Sequence, residues 1–344
     1  MSLRDLLSRL IGTAPTAAAD DFPPHIEALV PTLVDLIAEE VEPRLTLLPG
    51  YGGKLEPSVR RTIAYLRSFG PDLQAPLALS PRDWNSEPRL NGFFATAGDI
   101  TDTLGRSREL RAHFAARPAD AEAYAVLSME RHERTVLGVA LEGGVLRQDV
   151  PQTTVSFGDH RVGAPGATEQ ATRLELGVRI FRGLLEIAME RIEAVQGEAR
   201  DADERHARLA TRLRRLKTRS ADVETLAESP ARHAGEIAEL EAEMARSAAD
   251  ATASRARMSS LDGYVAEVTA VLGRPDEQFT VQWIDVRVNR MGIRVGAGAE
   301  EPVNEFRVAE LAARDFRRAL ALVRCRRDDL PRERAAFADA ERYL

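Results

Sequence analysis

The sequence predicts an α+β fold with an N-terminal helical module, an antiparallel β-sheet body and a long antiparallel coiled-coil hairpin projecting from that body. Three observations carry the prediction. Apolar residues from Leu174 to Val223 and again from Ile237 to Leu272 recur at alternating four-three spacing, the signature of a heptad seam. β-branched runs on either side of these seams read as strands. Between Phe22 and His132 the chain shows short helical periodicities broken by Pro and Gly.

The elements follow in order. Leu3, Leu6, Leu7, Leu10 and Ile11 share one helical face, so 1–22 reads as an amphipathic helix with the linker "GTAPTAAADD". This start is too short and too charged for a signal-peptide core. The segment 23–132 reads as the helical module, with "PPHIEALVPTLVDLIAEEVEP" periodic and "EPSVRRTIAYLRSFGP" opened by Pro57 in its first turn. "PRDWNSEPRLNGFFA" brings Trp84, Phe93 and Phe94 together, as core packing or, less expectedly, as a partner patch. From 133 to 167, Gly143-Gly144 and "GDH" divide the β-branched runs into a hairpin and a further strand.

The arm is expected over 168–273, with its turn near Ser229 and Pro230. A register that sets large against small residues places Ala202 opposite Met258. It also brings Lys217 near Glu241, Asp203 near Arg255, and Arg212 and Arg219 beside Glu243, Asp250 and Glu236. Small or polar seam residues at Ala199, Ala202, His206, Ser247, Ala251 and Ser254 predict a weak centre that opens first, as a hinge or where another copy packs. The remainder, 274–344, reads as a β-meander with Trp283 and Phe306 in the core and a C-terminal helix.

Composition narrows the function. Hydrophobic residues at 44% and charged residues at 29% are the balance of a folded globular protein, and the net charge of -7 opposes general attraction to nucleic acid. Lys54 and Lys217 are the only lysines, so the abundance of Arg reads as the base composition of a GC-rich genome. The stretch "RHARLATRLRRLKTRS" nevertheless holds seven basic residues and no acidic one. Arg205, Arg212, Lys217 and Arg219 flank the seam beside carboxylates of the second helix, which leaves Arg208, Arg214 and Arg215 outward as the candidate partner-binding residues. Cys325 is the sole cysteine, which fits a reducing, cytoplasmic setting and a small buried hydrophobe rather than a nucleophile.

No motif carries a specific chemistry. "LLPGYGGKLEPS" fails the phosphate-loop pattern, because Leu48 stands where the first Gly belongs and Leu55 replaces Ser or Thr; it reads as a Gly-rich turn opening a helix. Paired-His, nucleophile-elbow and Cys-rich metal spacings are absent from the sequence. His132, Asp159 and His160 are the polar residues at strand ends where a ligand site could assemble. The expectation is a non-enzymatic cytoplasmic interaction or scaffold protein that uses its arm for partner binding or dimerisation, with no cofactor and no metal. Alternatives are an enzyme with a pocket between helical module and sheet, a nucleic-acid-binding arm, and membrane contact through the N-terminal helix.

Overall fold

A computed structural model describes residues 27–28, 30–72, 74–142, 145–223, 230–296 and 303–331. The expected N-terminal amphipathic helix, the hairpin turn near Ser229 and the C-terminal helix lie outside the described residues. The fold is α+β, with a six-stranded sheet and a long helical hairpin.

The chain divides into two compact units, one built from Ile63–Phe181 and the chain from Pro275 on, the other from Ala28–Thr62 and Arg182–Arg274. The expected module over 23–132 is therefore not one unit. Its first helix, α1 (Val30–Val41), and the start of α2 (Tyr51–Asp72) group with the helical hairpin. Helix α2 begins at Tyr51, so Gly52, Gly53 and Lys54 form its first turn and Pro57 lies inside it rather than opening it. Lys54 forms an ion pair with Asp262.

In the first unit, strand β1 (Leu77–Ala78) is followed by three short helices: α3 (Pro88–Phe93), α4 (Ala97–Arg106) and α5 (Arg108–Ala116). Local chemistry sets their ends. A reciprocal capping box of Thr96 and Asp99 opens α4. Ser107 Oγ accepts from Leu110 N at 3.1 Å to cap α5 and donates to the Val162 carbonyl at 2.7 Å, tying that helix to the sheet. Arg327 closes the other end, donating to the carbonyls of Phe114 and Arg117 at 3.1 and 2.7 Å.

The sheet runs β3-β2-β6-β5-β4, with β2 (Glu122–Glu142), β3 (Val145–Gly166), β4 (Thr280–Asn289), β5 (Val303–Ala312) and β6 (Arg317–Arg326); β1 alone is parallel, to β6. Strand β2 starts at Glu122 rather than at 133, and "GDH" is no turn, because β3 continues through it. The hydrogen-bonded path then returns on itself. After β4 the chain turns at Gly292, Arg294 bridges Val288, and Ile293 bridges Thr154 of β3. Val155 N donates to the Gly292 carbonyl and Arg294 N to that of Thr153, both at 2.7 Å. Gly292 has φ +74, and a Cβ there would stand 2.9 Å from the Val155 carbonyl oxygen, so this closure requires glycine.

The apolar face of the sheet, with Ala125, Leu127, Val286, Phe306 and Val323, packs against Leu90, Phe93, Ile100, Leu104, Leu110 and Phe114 of α3–α5. Phe93 meets Phe157 and Phe306 edge-on with centroids 5.2 and 5.1 Å away. Phe93 and Phe94 are buried, and Trp84 packs on the same core with its Nε1 donating to the Phe94 carbonyl at 2.9 Å. Trp283 stays partly exposed with the Arg307 guanidinium 5.1 Å over its ring, so of the two expected core residues of the meander only Phe306 is buried.

In the second unit, α6 (Glu169–Val223) continues from the first unit and packs antiparallel to α7 (Pro230–Met258) and α8 (Leu261–Leu272). Cross-pairs fix the direction: Arg191 with Glu267 at 3.0 Å, Asp203 with Arg255, and Lys217 with Glu241 at 2.7 Å. The returning arm is broken at Ser259–Ser260 instead of running as one helix. There Gly263 sits against the Arg257 carbonyl, where a Cβ would lie only 1.7 Å from the oxygen.

The expected pairing of Ala202 with Met258 is corrected. Ser247 Oγ donates to the Ala202 carbonyl at 2.7 Å, and the His206 ring nitrogen Nδ1 lies 3.3 Å from the Met244 carbonyl. Met258 is three helical turns, roughly 16 Å, further along α7 than Ser247. Within the expected weak centre Ala202, Ser247 and Ala251 are buried, at 1%, 5% and 2% exposed, while His206 and Ser254 are partly exposed. Small residues let the helices approach until a hydroxyl reaches the opposite backbone.

Candidate functional site

The three residues singled out for a ligand site sit on the β2–β3 ribbon but do not converge. Glu130 pairs with Gly158 and Ser128 with Arg161, so β3 carries an extra residue between them and bulges at Asp159 and His160. Asp159 takes up the left-handed conformation, φ +45, which is how consecutive residues come to serve opposite faces.

His160 turns toward the core. Its ring stacks on Phe94 at 4.3 Å between centroids, and its Nε2–H donates to the Phe93 carbonyl at 2.8 Å. Burial pushes its pKa below the ordinary 6.5, although the Phe93 carbonyl opposes this, so the ring is held neutral. Asp159 turns the other way, toward Arg318. The Arg318 guanidinium donates to Asp159 Oδ2 and to the Asp159 carbonyl at 2.6 Å each, to Ser128 Oγ at 2.8 Å and to Glu130 Oε1 at 3.1 Å. That contact, with Arg161 beside it, holds the Asp159 carboxyl below its usual range. His132 is exposed on β2 with Nε2 3.8 Å from Glu130.

This constellation joins strands. Both carboxylates beside Arg318 are ion-paired with it. His132 and His160 serve different faces. Sequence reading missed Arg318, whose position in the run "RRALALVRCRR" marks a strand face but not the bulge opposite it. It also missed Arg131, which bonds the buried Glu310 at 2.9 Å, while Arg294 reaches Glu133 at 2.6 Å. Where β5 and β6 part, Arg89, Trp283, Arg307 and Leu322 line a cavity of about 20 Å³, room for one or two waters and far below the ~300 Å³ at which small-molecule sites begin. Among the described residues no group of three or more His, Cys, Asp or Glu could hold a metal ion. Cys325 is fully buried and its thiol is pushed up to about 12, which removes it as a nucleophile.

The three arginines of α6 are exposed but do not form one patch. Arg208 and Arg215 stand seven residues apart on one flank, while Arg214 lies about 100° round the helix. Arg208 pairs with Glu204 of its own helix at 2.9 Å, and Arg214 Nε donates to the Ala210 carbonyl at 3.4 Å. Among the described residues Arg215 has no ion pair. Beyond Ala202 no described side chain of α6 is buried, and Leu209, Leu213 and Leu216 of the seam stay half-covered. No described helix is long and apolar enough to cross a membrane. Compared with protein-family models, with curated proteins and with solved structures, the chain matches none.

Proposed function

We propose that the chain is a non-enzymatic interaction protein whose helical hairpin is the docking element. One observation carries the reading: the distal hairpin keeps Leu209, Leu213 and Leu216 half-exposed on a two-helix seam. The two helices leave apolar surface at these three leucines, and a further helix or a second copy packed there would cover it. The dispersed polar residues of the sheet lend the enzymatic alternative less support. Nucleic acid finds the arginines next to acidic rows of α7, including Glu236, Glu239 and Glu243. The single buried thiol is in keeping with a cytoplasmic setting.

The test is affinity purification from the native host, comparing the intact chain with one lacking residues 196–262. Loss of the recovered partners on deletion is expected. Recovery of the same set from both chains would remove the hairpin from the function.

A further inference from the structure

The two flanks of the hairpin seam differ. On one, Lys217 pairs with Glu241 and Asp203 with Arg255, closing the flank with cross-helix ion pairs. On the other, Glu198 and Arg257 approach to 3.7 Å toward the open end of the hairpin. Further out on that flank, α6 presents Arg205, Arg208, Arg212 and Arg215 at three-four spacing, and α7 presents Glu236, Glu239, Glu243 and Asp250, with Arg246 in the same row. All nine are exposed. Among the described residues no ion pair crosses between these rows; Arg208 bonds Glu204 along its own helix and Arg205 Nε reaches only the Asp201 carbonyl at 3.5 Å. One half of the flank is thus basic, the other acidic, and neither is neutralised across the seam. Leu209 and Leu216 border it, half-covered.

We propose that this flank docks a second copy of the chain, the two hairpins lying side by side with their turns at the same end and α6 of each over α7 of the other. The charge pattern selects this arrangement. A two-fold axis along the hairpin places the basic row on the acidic row, whereas an axis across it would set arginine on arginine. With the axis along the hairpin, Arg212 meets Glu243 of the second copy, Arg205 meets its Asp250 and Arg215 its Glu239, each contact doubled by symmetry. Arg208 against Arg246 is the one unfavourable meeting, offset by Glu204 beside Arg208. A polyanion would be repelled by the acidic row, so the same pattern disfavours nucleic acid here. Exposed pairs are individually weak and screened by salt, so the dimer is reversible and salt-sensitive. The inference rests on the reading of the hairpin as a docking element.

Sedimentation equilibrium of the full chain at low and physiological salt tests it. The wild type is expected to dimerise, more weakly as salt rises. Arg212→Glu with Arg215→Glu sets acid against acid at the facing positions 212–243 and 215–239, and Glu239→Arg with Glu243→Arg sets base against base there. Each double variant alone should lose dimer affinity by on the order of tenfold or more, and an equimolar mixture should recover it, because each then offers the row the other lacks. Because a double variant could lose helical structure, a mixture of Arg215→Cys and Glu239→Cys chains provides a second measurement. A disulfide should form between unlike copies and not within either variant alone. A wild type that is monomeric at every concentration, a dimer indifferent to both charge swaps, a mixture that does not recover, or no disulfide in the mixture would each overturn the pairing. A monomeric wild type sinks only the self-pairing; the wider reading falls if the deletion of residues 196–262 leaves partner recovery intact.

Discussion

Ser247 Oγ donates to the main-chain carbonyl of Ala202 at 2.7 Å, a side chain of one arm helix bonded to the backbone of the other. Both residues are buried, and that contact sets how closely α6 and α7 approach. Ser247→Leu is therefore expected to pry the helices apart and destabilise the hairpin by about 1–3 kcal/mol, as overpacking does. Ser247→Ala should cost less, about 1 kcal/mol for the lost hydrogen bond. Urea unfolding followed by helical circular dichroism measures both. A stabilised leucine variant would mean there is free space at this position.

Arg318 is the clamp of the β3 bulge. Arg318→Ala strands the carboxylates of Glu130 and Asp159 on one face without their shared cation, and should destabilise the protein by about 2 kcal/mol, the scale of hydrogen bonds to charged groups. Asp159→Asn keeps the left-handed backbone and should cost less. Thermal melts of the two variants decide it; equal losses would place the effect in the side-chain charge of Asp159 rather than in the clamp.

Acid should weaken the first unit through two partly buried imidazoles, His160 on β3 and His113 on α5. His160 and His113 are both pushed below their ordinary 6.5 by burial. The unfolded chain therefore takes up these protons first as pH falls. The stabilisation is fully present above pH 6.5 and is lost as pH drops from there toward the depressed folded values. His160→Asn, which can still donate to the Phe93 carbonyl but does not titrate, should flatten that slope in denaturant midpoints measured across the window. An unchanged slope would assign it elsewhere.

Two glycines of the second unit should respond oppositely to alanine. Gly263→Ala drives a Cβ into the Arg257 carbonyl at the break between α7 and α8, and a loss of about 2 kcal/mol or more is expected. Gly197 lies inside α6 with nothing within 4 Å of its missing Cβ, so Gly197→Ala should stabilise by up to about 1 kcal/mol. Chemical denaturation of the pair checks the contrast, and a neutral Gly263→Ala would require the break to be plastic.

Much of the fold was legible in local pattern. The heptad seams of α6 and α7 and the strands β4, β5 and β6 follow from hydrophobic periodicity, and even individual cross-helix pairs, Lys217 with Glu241 and Asp203 with Arg255, follow from charge placement. The same pairs misled on register. Helical side chains lean toward their own N-terminus, so the tips of two long antiparallel side chains meet although their Cα atoms stand well past one another. Taken as perpendicular, they set Ala202 against Met258; the short Ser247 hydroxyl, which cannot lean far, reports the true level. Large-against-small packing misled for a related reason, since it assumes a fixed distance between helices, and Ala202, Ser247 and Ala251 change that distance.

What the sequence by itself determined is the class of each segment: amphipathic helix, alternating strand, Gly-rich turn, and the absence of any spacing that commits to a chemistry. Tertiary structure alone decided that "GDH" is a bulge and not a turn, because only the register against β2 and the reach of Arg318 from β6 impose the left-handed Asp159. It alone decided that the sheet closes through Gly292 onto β3, and that His132 and His160 serve different faces. Such choices depend on contacts between residues from about thirty to more than a hundred and fifty positions apart, whose free energy is shared among many groups and leaves no period in the chain to be read.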